Sequence, residues 1–491
     1  MKIYDTMSGK KKEFIPIKEN EVKMYACGVT VYDLSHIGHA RQAIVYAMIA
    51  DYLRYRGYNV TYVRNYTDVD DKIIKRANER GITALELSSQ QILEAEKDMS
   101  DLHITKEDIT TKASEYIEKI IKFVESLIEK GYAYKADNGD VYFSVRDFKE
   151  YGKLSHRNVD DMLNGVRIEL EEGKKDPIDF ALWKSAKPGE VYWDSPWGPG
   201  RPGWHIECSV MAKDTLGETI DIHGGGRDLQ FPHHENEIAQ SEALSGKTMA
   251  NYWTHCGLIK INGEKMSKSL GNSLTIRDAL KMYNYEVIKY LMFSKHYASD
   301  MDILDSDYQL TEGHLYYFYS TIKEMNKFIN QYEGNSQGDT LEDDISNDIV
   351  PNFINVMDDD FNTAAAISYL YGIFKYINNI MKSAKKNTRQ QTANTLAKIL
   401  KNVKEAYGTV LGLFNQVPDE FIKEMKTKYL NKLNIEEKFI IEEISKRAEA
   451  KKNKQYDLAD EIRAGLDKKG IILNDTVEGT LWDIKALYKN N

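Results

Sequence analysis

The sequence predicts an α/β fold in which a Rossmann-like, parallel-sheet domain carries a β-rich insertion and is followed by α-helical C-terminal domains. Three features of the 491-residue chain predict it. A strand–helix–strand pattern fills residues 21–67, segments containing Tyr, Gly and Pro cover much of residues 116–199, and helical patterns dominate from about residue 275 onward. The fold is therefore expected to combine a sheet-based N-terminal part with a helical C-terminal part.

The first strand–helix–strand unit can be followed element by element. EVKMYACGV (21–29) reads as a short apolar strand, and GHARQAIVYAMIADYLRYRGY (38–58) has apolar residues at helical spacing. NVTYVRNYT (59–67) returns as a β-rich strand. Strand, helix and strand in this order predict a parallel sheet with a right-handed crossover.

The carboxyl ends of these strands are the expected ligand-binding edge, because parallel sheets bind ligands there. Cys27 and Gly28 lie at the end of the first strand, and Thr67 lies at the end of the second. TIDIHGGG (219–226) reads as a later strand of the same sheet that ends at His223 in a glycine turn. The site is therefore expected along this edge.

Helices are predicted for the remainder of the chain. ISYLYGIFKYINNIMKSAKK (367–386) is amphipathic and ends in lysines, and the polar stretch 333–344 reads as a loop between helices. A further unit begins near residue 433 with a lysine-rich helix. Residues from roughly 310 to 491 are thus expected to be helical.

Composition is that of a soluble globular protein, with 42% hydrophobic and 29% charged residues. Nothing approaches the run of roughly 20 apolar residues that spans a bilayer, and no signal peptide is visible, so a cytoplasmic protein without a membrane partner is expected. The three scattered cysteines argue against a disulfide framework. The formal net charge of −10 leaves room for a local basic face that binds nucleic acid.

Two short motifs carry candidate chemistry. In SHIGHAR (35–41), His36 and His39 flank a glycine in the turn into the first helix, whose N-terminus can bind a phosphate. In GEKMSKSLGN (263–272), Lys265 and Lys268 lie in a glycine-framed loop suited to holding the charge of a polyphosphate leaving group. Taken singly, each motif also fits an ordinary polar turn or a solvated basic loop.

Together, the HIGH tetrapeptide and the KMSKS loop resemble the paired signatures of class I aminoacyl-tRNA synthetases. Longer stretches narrow the resemblance to the cysteinyl-tRNA synthetase family: CGVTVYDLSHIGHAR, YVRNYTDVDDKIIKRA, GRPGWHIECS, DIHGGGRDLQFPHHENEIAQ and EKMSKSLGN. It extends from the N-terminus to VEGTLWDIK near the C-terminus. The resemblance implies that ATP activates L-cysteine as cysteinyl-adenylate and that the cysteinyl group passes to tRNA(Cys), with AMP and diphosphate as products.

The stretch FPHHENEIAQ (231–240) concentrates two of the 11 histidines of the chain. His233 and Glu237 are four residues apart and would share one face of a helix, whereas His234 and Glu235 would point elsewhere. On the residues alone, a metal site and a charged helix beside packed thiols both remain open. The resemblance implies one Zn²⁺ ion per chain, held by Cys27, Cys208, His233 and Glu237.

A zinc ion would distinguish cysteine from serine, because thiolate is a far better zinc ligand than a hydroxyl and shape alone separates the two poorly. Four protein ligands normally form a closed structural site. The metal is therefore expected either to become five-coordinate or to loosen a ligand, with Glu237 as the candidate, when the thiol arrives.

The resemblance also assigns roles around the two substrates, cysteine and ATP with Mg²⁺. His36 and His39 are expected at the α-phosphate of ATP, and Lys268, helped by Lys265, at the leaving pyrophosphate. The residues expected to line the amino-acid pocket are Gly28, Thr67, Trp204, His223 and Asp228. Turn and core roles would suit Gly28 and Trp204 equally well.

The family further implies a monomer and a division of the chain into parts. A discontinuous catalytic domain is expected at 1–115 and 200–258, with a connective insertion at 116–199 between them. The parts that follow are a KMSKS-bearing stem-contact region at 259–310, a helical bundle at 311–430 and a small anticodon-recognition domain at 431–491. There, lysine clusters suit phosphate contacts and Trp482 could stack on an unpaired base, although a solvated face and a core tryptophan fit as well.

Other functions stay open on the sequence. A ligase that passes cysteine to an amino sugar would share the catalytic core but lack the long C-terminal region, and a tRNA-binding or metal-sensing protein could keep the fold without catalysis. In the family, lysines matching Lys72 and Lys75 are credited with a persulfide-forming side activity that uses pyridoxal phosphate, yet here they also fit a solvated helix face. Cys256 has no predicted role.

Overall fold

The computed structural model describes residues 1–158, 173–261, 263–265, 273–342, 345–476 and 479–488. The chain forms two compact units. Unit 1 comprises Met1–Tyr285, Met292–Ile303 and Asn355–Ala364, and unit 2 comprises Glu286–Leu291, Leu304–Ile354 and Ala365–Asn491. The finer division into five parts stays a prediction. Within the described ranges, no helix is both long enough and apolar enough to cross a membrane.

Strands and helices alternate through unit 1. Its strands are β1 (Lys2–Asp5), β2 (Lys10–Glu13), β3 (Glu21–Thr30), β4 (Asn59–Thr67), β5 (Ile109–Lys112), β6 (Ala133–Lys135), β7 (Val141–Phe143), β8 (Phe180–Ser185), β9 (Gly200–Pro202), β10 (Ile220–Gly226), β11 (Ala250–Cys256), β12 (Ile259–Ile261), β13 (Glu264–Lys265) and β14 (Met301–Ile303). Its helices are α1 (Ile37–Tyr55), α2 (Asp71–Arg80), α3 (Ala84–Asp101), α4 (Ile117–Glu129), α5 (Trp204–Leu216), α6 (Glu235–Ser245) and α7 (Ile276–Met282).

A five-stranded parallel sheet forms the centre of unit 1, with the order β11-β10-β3-β4-β5. The chain leaves β3 toward β4 and β5 on one side, and later returns to β10 and β11 on the other. The strand order therefore reverses between β3 and β10, and a crevice opens there at the carboxyl ends of the strands. Cys27 on β3 and His223 on β10 are neighbours because of this topology.

The predicted α/β fold is confirmed, and its first strand–helix–strand unit matches closely. β4 has the bounds that the sequence predicts, and β3 and α1 differ from the expected segments by a few residues. One expectation was wrong. β10 does not end at His223 but continues through the glycines, because each of Gly224, Gly225 and Gly226 still pairs with a residue of β11.

The predicted β-rich insertion contains a four-stranded antiparallel sheet with the order β6-β7-β8-β9. α4 precedes it and packs on it through the buried side chains of Phe123 and Leu127. Phe143 and Trp183 fill the interior between the sheet and this helix. Burial of aromatic rings of this size supplies the apolar area that a small sheet needs to be stable.

Unit 1 also includes a short segment far along the chain, Asn355–Ala364. Its Asp358 accepts a hydrogen bond from the hydroxyl of Tyr52 at 2.6 Å and pairs with Arg56, both at the end of α1. Asp360 accepts hydrogen bonds from the Tyr297 hydroxyl at 2.9 Å and from the backbone N–H of Tyr4 at 2.8 Å. The segment therefore supplies acidic partners to side chains and a backbone N–H of the earlier part of unit 1.

Unit 2 is mostly helical, as predicted. Helix α8 (Tyr285–Phe293) has residues in both units. The helices that follow are α9 (Asp305–Gln331), α10 (Ile345–Met357), α11 (Thr363–Ser383), α12 (Arg389–Val403), α13 (Pro418–Leu433), α14 (Glu437–Lys452) and α15 (Tyr456–Lys468), and one end each of α10 and α11 belongs to unit 1. The buried carboxylate of Glu286 accepts hydrogen bonds from the Tyr319 hydroxyl at 2.8 Å and the Phe414 N–H at 3.0 Å. These bonds compensate for taking the carboxylate out of water.

The end of unit 2 departs from the sequence prediction. Residues expected to be helical form an antiparallel hairpin of β15 (Ile471–Thr476) and β16 (Gly479–Ile484). Ile471 and Leu473 alternate with more exposed neighbours, which is the period of a half-buried strand and not of a helix. Trp482 lies on β16, half-buried, with the ammonium of Lys426 4.3 Å from its ring centroid.

Arg41 fixes the start of α1 within unit 1. Its side chain is 1% exposed, and its guanidinium donates to the carbonyl oxygens of Gly257 at 3.0 Å, Leu258 at 3.1 Å and Ser299. Gly257 and Leu258 lead directly into β12. The planar, five-donor guanidinium is the side chain best able to serve several carbonyls at once.

Replacing Arg41 with lysine is expected to lower the free energy of unfolding by about 2–4 kcal/mol, because a single ammonium leaves buried carbonyls without a donor. Thermal or urea denaturation measures this change. Arg80→Lys, an equivalent substitution at an exposed position, should alter stability by less than ~0.5 kcal/mol. Equal effects of the two substitutions would contradict the assigned role of Arg41.

Candidate metal centre and active site

The first helix begins with the predicted histidine pair. His36 is the N-cap of α1, and its Nδ1 accepts a hydrogen bond from the N–H of Gly38 at 3.2 Å. The Nδ1 of His39 in turn accepts from the N–H of His36 at 3.3 Å. The two rings stack with their centroids 3.7 Å apart. This reciprocal arrangement satisfies two backbone donors at the helix start, as a capping box does.

The capping contacts determine where each ring carries its proton. Because Nδ1 of His36 and Nδ1 of His39 both accept hydrogen bonds, each neutral ring must be protonated at Nε2. Both rings are therefore hydrogen-bond donors through Nε2, at the positive end of the α1 dipole. An arrangement of this kind can bind the oxygens of a phosphate.

The segment around the KMSKS loop enters and leaves next to this helix start. It enters through a hairpin in which Lys260 pairs with Lys265. After the loop, the carbonyl of Leu274 accepts from the N–H of Ile37 at 3.0 Å, and the N–H of Ile276 donates to Ser35 at 3.0 Å. Lys268 and the side chain of Lys265 lie outside the described part of the chain. The anchors of the loop, however, are fixed beside the histidine pair.

The four predicted metal ligands meet at the crevice between β3 and β10. One donor atom from each of Cys27, Cys208, His233 and Glu237 lies within 4.8 Å of all the others, and all four residues are buried. The Sγ of Cys27 is 3.2 Å from Glu237 Oε1, which is 3.1 Å from His233 Nε2. Two sulfurs, an imidazole nitrogen and a carboxylate oxygen are donors that suit zinc.

The electrostatics of the cluster depend on Glu237, which is fully buried. Burial raises the pKa of this carboxyl, but His223 and His233 outweigh burial and hold the pKa well below its usual range. Burial likewise lowers the pKa of His233, yet the Glu237 carboxylate and the Cys208 sulfur raise it to about 10. Glu237 and His233 therefore form a buried ion pair at neutral pH.

The two thiols differ in their acidity. Burial raises the pKa of Cys27 well above its ordinary value, and its hydrogen bond with Cys208 adds to the shift. Burial also disfavours the Cys208 thiolate, but hydrogen bonds from Cys27 and His233 prevail and lower its pKa to about 6. The cluster thus holds a thiolate, a carboxylate and protons that a divalent cation could displace.

A second donor set shares two members with the first. Cys27 and Glu237 also come within 4.8 Å of ring nitrogens of His223 and His234. His223 Nε2 lies 3.2 Å from Glu237 Oε2, and His234 Nε2 lies 4.0 Å from Glu237 Oε1. The expectation that His234 points elsewhere was therefore wrong, because α6 begins only at Glu235 and the preceding residues do not follow its periodicity.

Glu235 behaves as expected and faces away from the cluster. Its carboxylate accepts hydrogen bonds from the backbone N–H groups of Gly152 at 3.0 Å and Ser155 at 2.8 Å. It therefore connects α6 to the middle of the inserted region. This buried carboxylate thereby holds the stretch 231–240 on the side away from the proposed metal ligands.

The residues expected to line the amino-acid pocket occupy different positions. His223 lies in the cluster itself, and Trp204, the first residue of α5, stacks on His233 with centroids 4.4 Å apart. Thr67 is buried at the end of β4, and Asp228 is exposed on a turn after β10. Gly28 has a backbone reason to be glycine, because a β-carbon would lie 1.6 Å from the carbonyl oxygen of Asn65.

Sequence reasoning missed His205 and the role of Gly225. His205 Nδ1 lies 3.0 Å from His233 Nδ1. Burial lowers the pKa of His205 well below its ordinary value, so its neutral ring can accept a hydrogen bond from the Nδ1–H of His233. Partners of this kind orient metal-binding histidines. The spacing of His205 and Cys208, three apart on α5, is the signal that could have found it. Gly225 leaves room for the His234 ring, 2.9 Å from where its β-carbon would lie.

Three further residues from the sequence analysis lie outside the cluster. Lys72 and Lys75 are both exposed on α2, and the Lys72 ammonium is 5.7 Å from the ring centroid of Tyr32. Cys256 is buried at the end of β11, where burial raises the pKa of its thiol to about 11. Among the described residues, Cys256 belongs to neither metal-binding group.

Comparison with protein families identifies two matching regions. The model of the tRNA synthetases class I (C) catalytic domain matches residues 13–312. The model of the DALR domain matches residues 352–415. The first region contains the histidine pair, the metal-binding group and the KMSKS segment.

Curated relatives match the chain over its length. The Cysteine–tRNA ligase of Thermodesulfovibrio yellowstonii is 47% identical, and the alignment covers 99% of this chain and 100% of the relative. The Cysteine–tRNA ligase of Geobacter sulfurreducens is 46% identical with the same coverage. That of Syntrophotalea carbinolica is 48% identical and covers 98% of this chain and 99% of the relative.

Solved structures share the fold at low sequence identity. The Mycobacterium tuberculosis methionyl-tRNA synthetase in complex with methionyl-adenylate superposes with a TM-score of 0.61 at 14% identity, covering 82% of this chain and 93% of the other. The LeuRS of Agrobacterium radiobacter in a ternary complex gives a TM-score of 0.60 at 9% identity, covering 83% and 87%. With the full-length relatives and the catalytic-domain match, these findings show that the chain belongs to the cysteine–tRNA ligase family of class I aminoacyl-tRNA synthetases.

Proposed function

We propose that the protein activates L-cysteine with ATP and transfers the cysteinyl group to tRNA(Cys). The observation that carries the proposal is the position of two groups of side chains at one edge of the parallel sheet. A buried cluster of sulfur, nitrogen and oxygen donors lies between β3 and β10, and a histidine pair lies at the start of the helix that follows β3. Relatives named Cysteine–tRNA ligase that match the full length support this reading.

The proposed metal is zinc, held by Cys27, Cys208, His233 and Glu237. The residues present fit it, because two sulfurs, a nitrogen and an oxygen are donors that suit zinc and the protons on Cys27 and His233 can be displaced. A bound zinc would supply a Lewis-acidic position that accepts a thiolate in preference to a hydroxyl. The side chains of the pocket would then exclude serine by chemistry and not by size.

His36 and His39 are proposed to bind the α-phosphate of ATP. Both rings present an Nε2–H donor at the N-terminus of α1, and their stacking and capping contacts fix the two rings in place. Donors fixed before the reaction stabilise charge that develops on the phosphoryl oxygens without reorganising. Lys268 and Lys265 are proposed to carry the charge of the leaving pyrophosphate, together with Mg²⁺.

Trp204, His223, Thr67, Gly28 and Asp228 are proposed to surround the cysteine. The stacking of Trp204 on His233 supports this assignment for Trp204, since the indole forms a wall beside a metal-binding ring. His223 contacts both Cys27 and Glu237. Trp204 and His223 would hold the cysteine against the metal, so that the carboxylate of the cysteine can attack the α-phosphorus of ATP.

Unit 2 is proposed to bind tRNA(Cys), with the protein acting as a monomer in the cytoplasm. The DALR domain at 352–415 lies largely within this unit. A long helical unit is also what an amino-sugar ligase of this family is expected to lack, so its presence favours a tRNA acceptor. Lys426 beside Trp482 provides a cation and an aromatic ring on one surface, a pair suited to phosphate and base.

Aminoacylation with competing amino acids tests the proposed function directly. The purified, zinc-loaded protein is incubated with ATP, Mg²⁺, bulk tRNA and labelled cysteine or labelled serine. We expect acid-precipitable label from cysteine and none above background from serine. Cysteine-dependent pyrophosphate exchange without label on tRNA would point to another acceptor, and no exchange at all would favour a non-catalytic tRNA-binding protein.

Removal of a proposed ligand is expected to remove the metal. Cys208→Ser should weaken zinc affinity by at least ~100-fold, because a buried hydroxyl replaces a thiolate. Zinc per chain after dialysis, measured by atomic absorption, reports the change. Cys256→Ser is the matched control, since Cys256 is equally buried but lies outside the cluster, and it should retain the metal. Full zinc occupancy in the Cys208 variant would rule out the assignment.

The proposed phosphate contact can be removed without removing the helix cap. In His36→Asn the side-chain oxygen occupies about the place of Nδ1 and can still accept the N–H of Gly38, whereas the Nε2 donor is lost. The kcat of pyrophosphate exchange is expected to fall by about 10²–10³-fold with little change in melting temperature. His156→Asn, at an exposed loop, serves as the control and should keep wild-type activity. Unchanged exchange by the His36 variant would argue against the role.

A further inference from the structure

A cavity lies on the face of the central sheet opposite to the cluster of proposed metal ligands. Its volume is about 330 Å³, within the roughly 300–1,000 Å³ typical of small-molecule sites. Alternate side chains of a strand point to opposite faces. On β4, Val63 packs with Cys27 toward the metal-binding cluster, so Tyr62, Arg64 and Tyr66 face the opposite way, into this cavity.

Arg64 is the central feature of the cavity. Its side chain is 6% exposed, and one of its terminal guanidinium nitrogens is buried without a hydrogen-bond partner. Within the described ranges, no carboxylate pairs with this guanidinium. A buried charge left unpaired costs several kcal/mol, and a guanidinium normally meets this cost with a carboxylate or phosphate bound by two parallel hydrogen bonds. Arg64 is therefore directed at an anionic group that none of the described residues supplies.

The opening of the cavity carries charges of both signs. Glu96 and Lys106 lie 3.8 Å apart and form an exposed ion pair. Glu107 also lines the cavity, and its carboxylate accepts a hydrogen bond from the Thr110 hydroxyl at 2.7 Å instead of turning to Arg64. The charges of the lining sum to zero, with Arg64 inside and carboxylates nearer the opening. A ligand that is anionic at one end and cationic at the other has no net charge, so its binding would leave the net charge of the cavity at zero.

The walls between the two ends are apolar. The rings of Tyr62 and Tyr66 flank Arg64 on the strand, and Met99 of α3 and Ile104 line the cavity opposite them. We propose that this cavity is a binding site for a small zwitterion with an apolar body, such as an aliphatic or aromatic amino acid. Its carboxylate is held by Arg64, its ammonium lies toward Glu107, and its side chain packs between the tyrosines and Met99. The site is separate from the proposed position of the activated cysteine.

Isothermal titration of the zinc-loaded, full-length protein with L-leucine is the first test. Two analogues of L-leucine each lack one of its charged groups: 4-methylpentanoate lacks the ammonium, and 3-methylbutylamine lacks the carboxylate. We expect L-leucine, or another member of a panel of aliphatic and aromatic L-amino acids, to bind. The corresponding analogues should bind at least about tenfold more weakly, because each loses one charge-assisted set of hydrogen bonds.

Two variants locate the binding within the molecule. Arg64→Gln should weaken binding by at least about tenfold. Ser100→Tyr fills the cavity from an exposed position of α3, and it keeps the proposal testable if the buried Arg64 variant does not fold. Ser89→Tyr, on the exposed face of the same helix and outside the cavity lining, is the matched control and should bind as the wild type does.

Three results would overturn the proposal. No binding by any amino acid of the panel would show that the cavity has no such ligand. Binding that survives Ser100→Tyr would place the ligand elsewhere, the cysteine pocket included. Equal affinity for 4-methylpentanoate and L-leucine would show that the site recognises a carboxylate alone and that the acidic residues at its opening play no part.

Discussion

The side chains of the crevice are arranged around the buried carboxylate of Glu237. A fully buried, ionised carboxylate is strongly destabilising unless positive charge and donors surround it. His223 and His233 meet that requirement from two different elements, β10 and the turn before α6, and Cys27 adds a third contact from β3. Because three separate parts of the chain must converge on one carboxylate, the reversal of strand order between β3 and β10 is what allows the cluster to form. The same reversal places the start of α1 beside it.

Helix α1 is joined to the residues on both sides of the KMSKS loop by hydrogen bonds to backbone groups. Arg41 joins α1 to the residues that lead into β12, and Leu274 and Ile276 join the exit of the KMSKS loop to the start of α1. Helix α1, which carries the histidine pair proposed to bind phosphate, and the residues that flank the KMSKS loop are therefore parts of one hydrogen-bonded frame. Cys27, one of the proposed metal ligands, lies on β3, the strand directly before α1. In the proposed reaction, such a frame would hold the amino acid and the nucleotide in register.

Much of this arrangement could be predicted from the sequence, for identifiable reasons. β4 was predicted to the residue because its β-branched and aromatic residues lie between a glycine and an acidic turn. His233 and Glu237 converge, as their spacing of four predicted, but the turn before α6 also brings His234 to the same carboxylate, which the spacing did not predict. The extension of β10 through its glycines depends on pairing with β11, and pairing of that kind is invisible in a local pattern. The C-terminal hairpin was missed because the helical patterns that dominate from about residue 275 were extended to the end of the chain, over the alternation at Ile471 and Leu473.

His205 and Arg64 illustrate the other limit of sequence reasoning. Each is a single polar residue in an otherwise structural stretch, and only its surroundings in three dimensions distinguish it from a surface residue. His205 contacts the ring of His233, a proposed metal ligand, and no carboxylate of the described residues pairs with the guanidinium of Arg64. His205 is half-buried and Arg64 is buried, and polar groups removed from water in this way require partners.

The segment Asn355–Ala364 has a consequence for how this molecule can be divided. Asp358 and Asp360 complete contacts with Tyr52, Arg56 and Tyr297, yet they follow the residues matched by the catalytic-domain family model by more than forty positions. A fragment cut where that match ends would leave the end of α1 without these acidic partners. The catalytic part is thus a unit in space but not a contiguous piece of chain. Excision, domain exchange and gene splitting would all have to carry this short segment along, or supply a substitute for it.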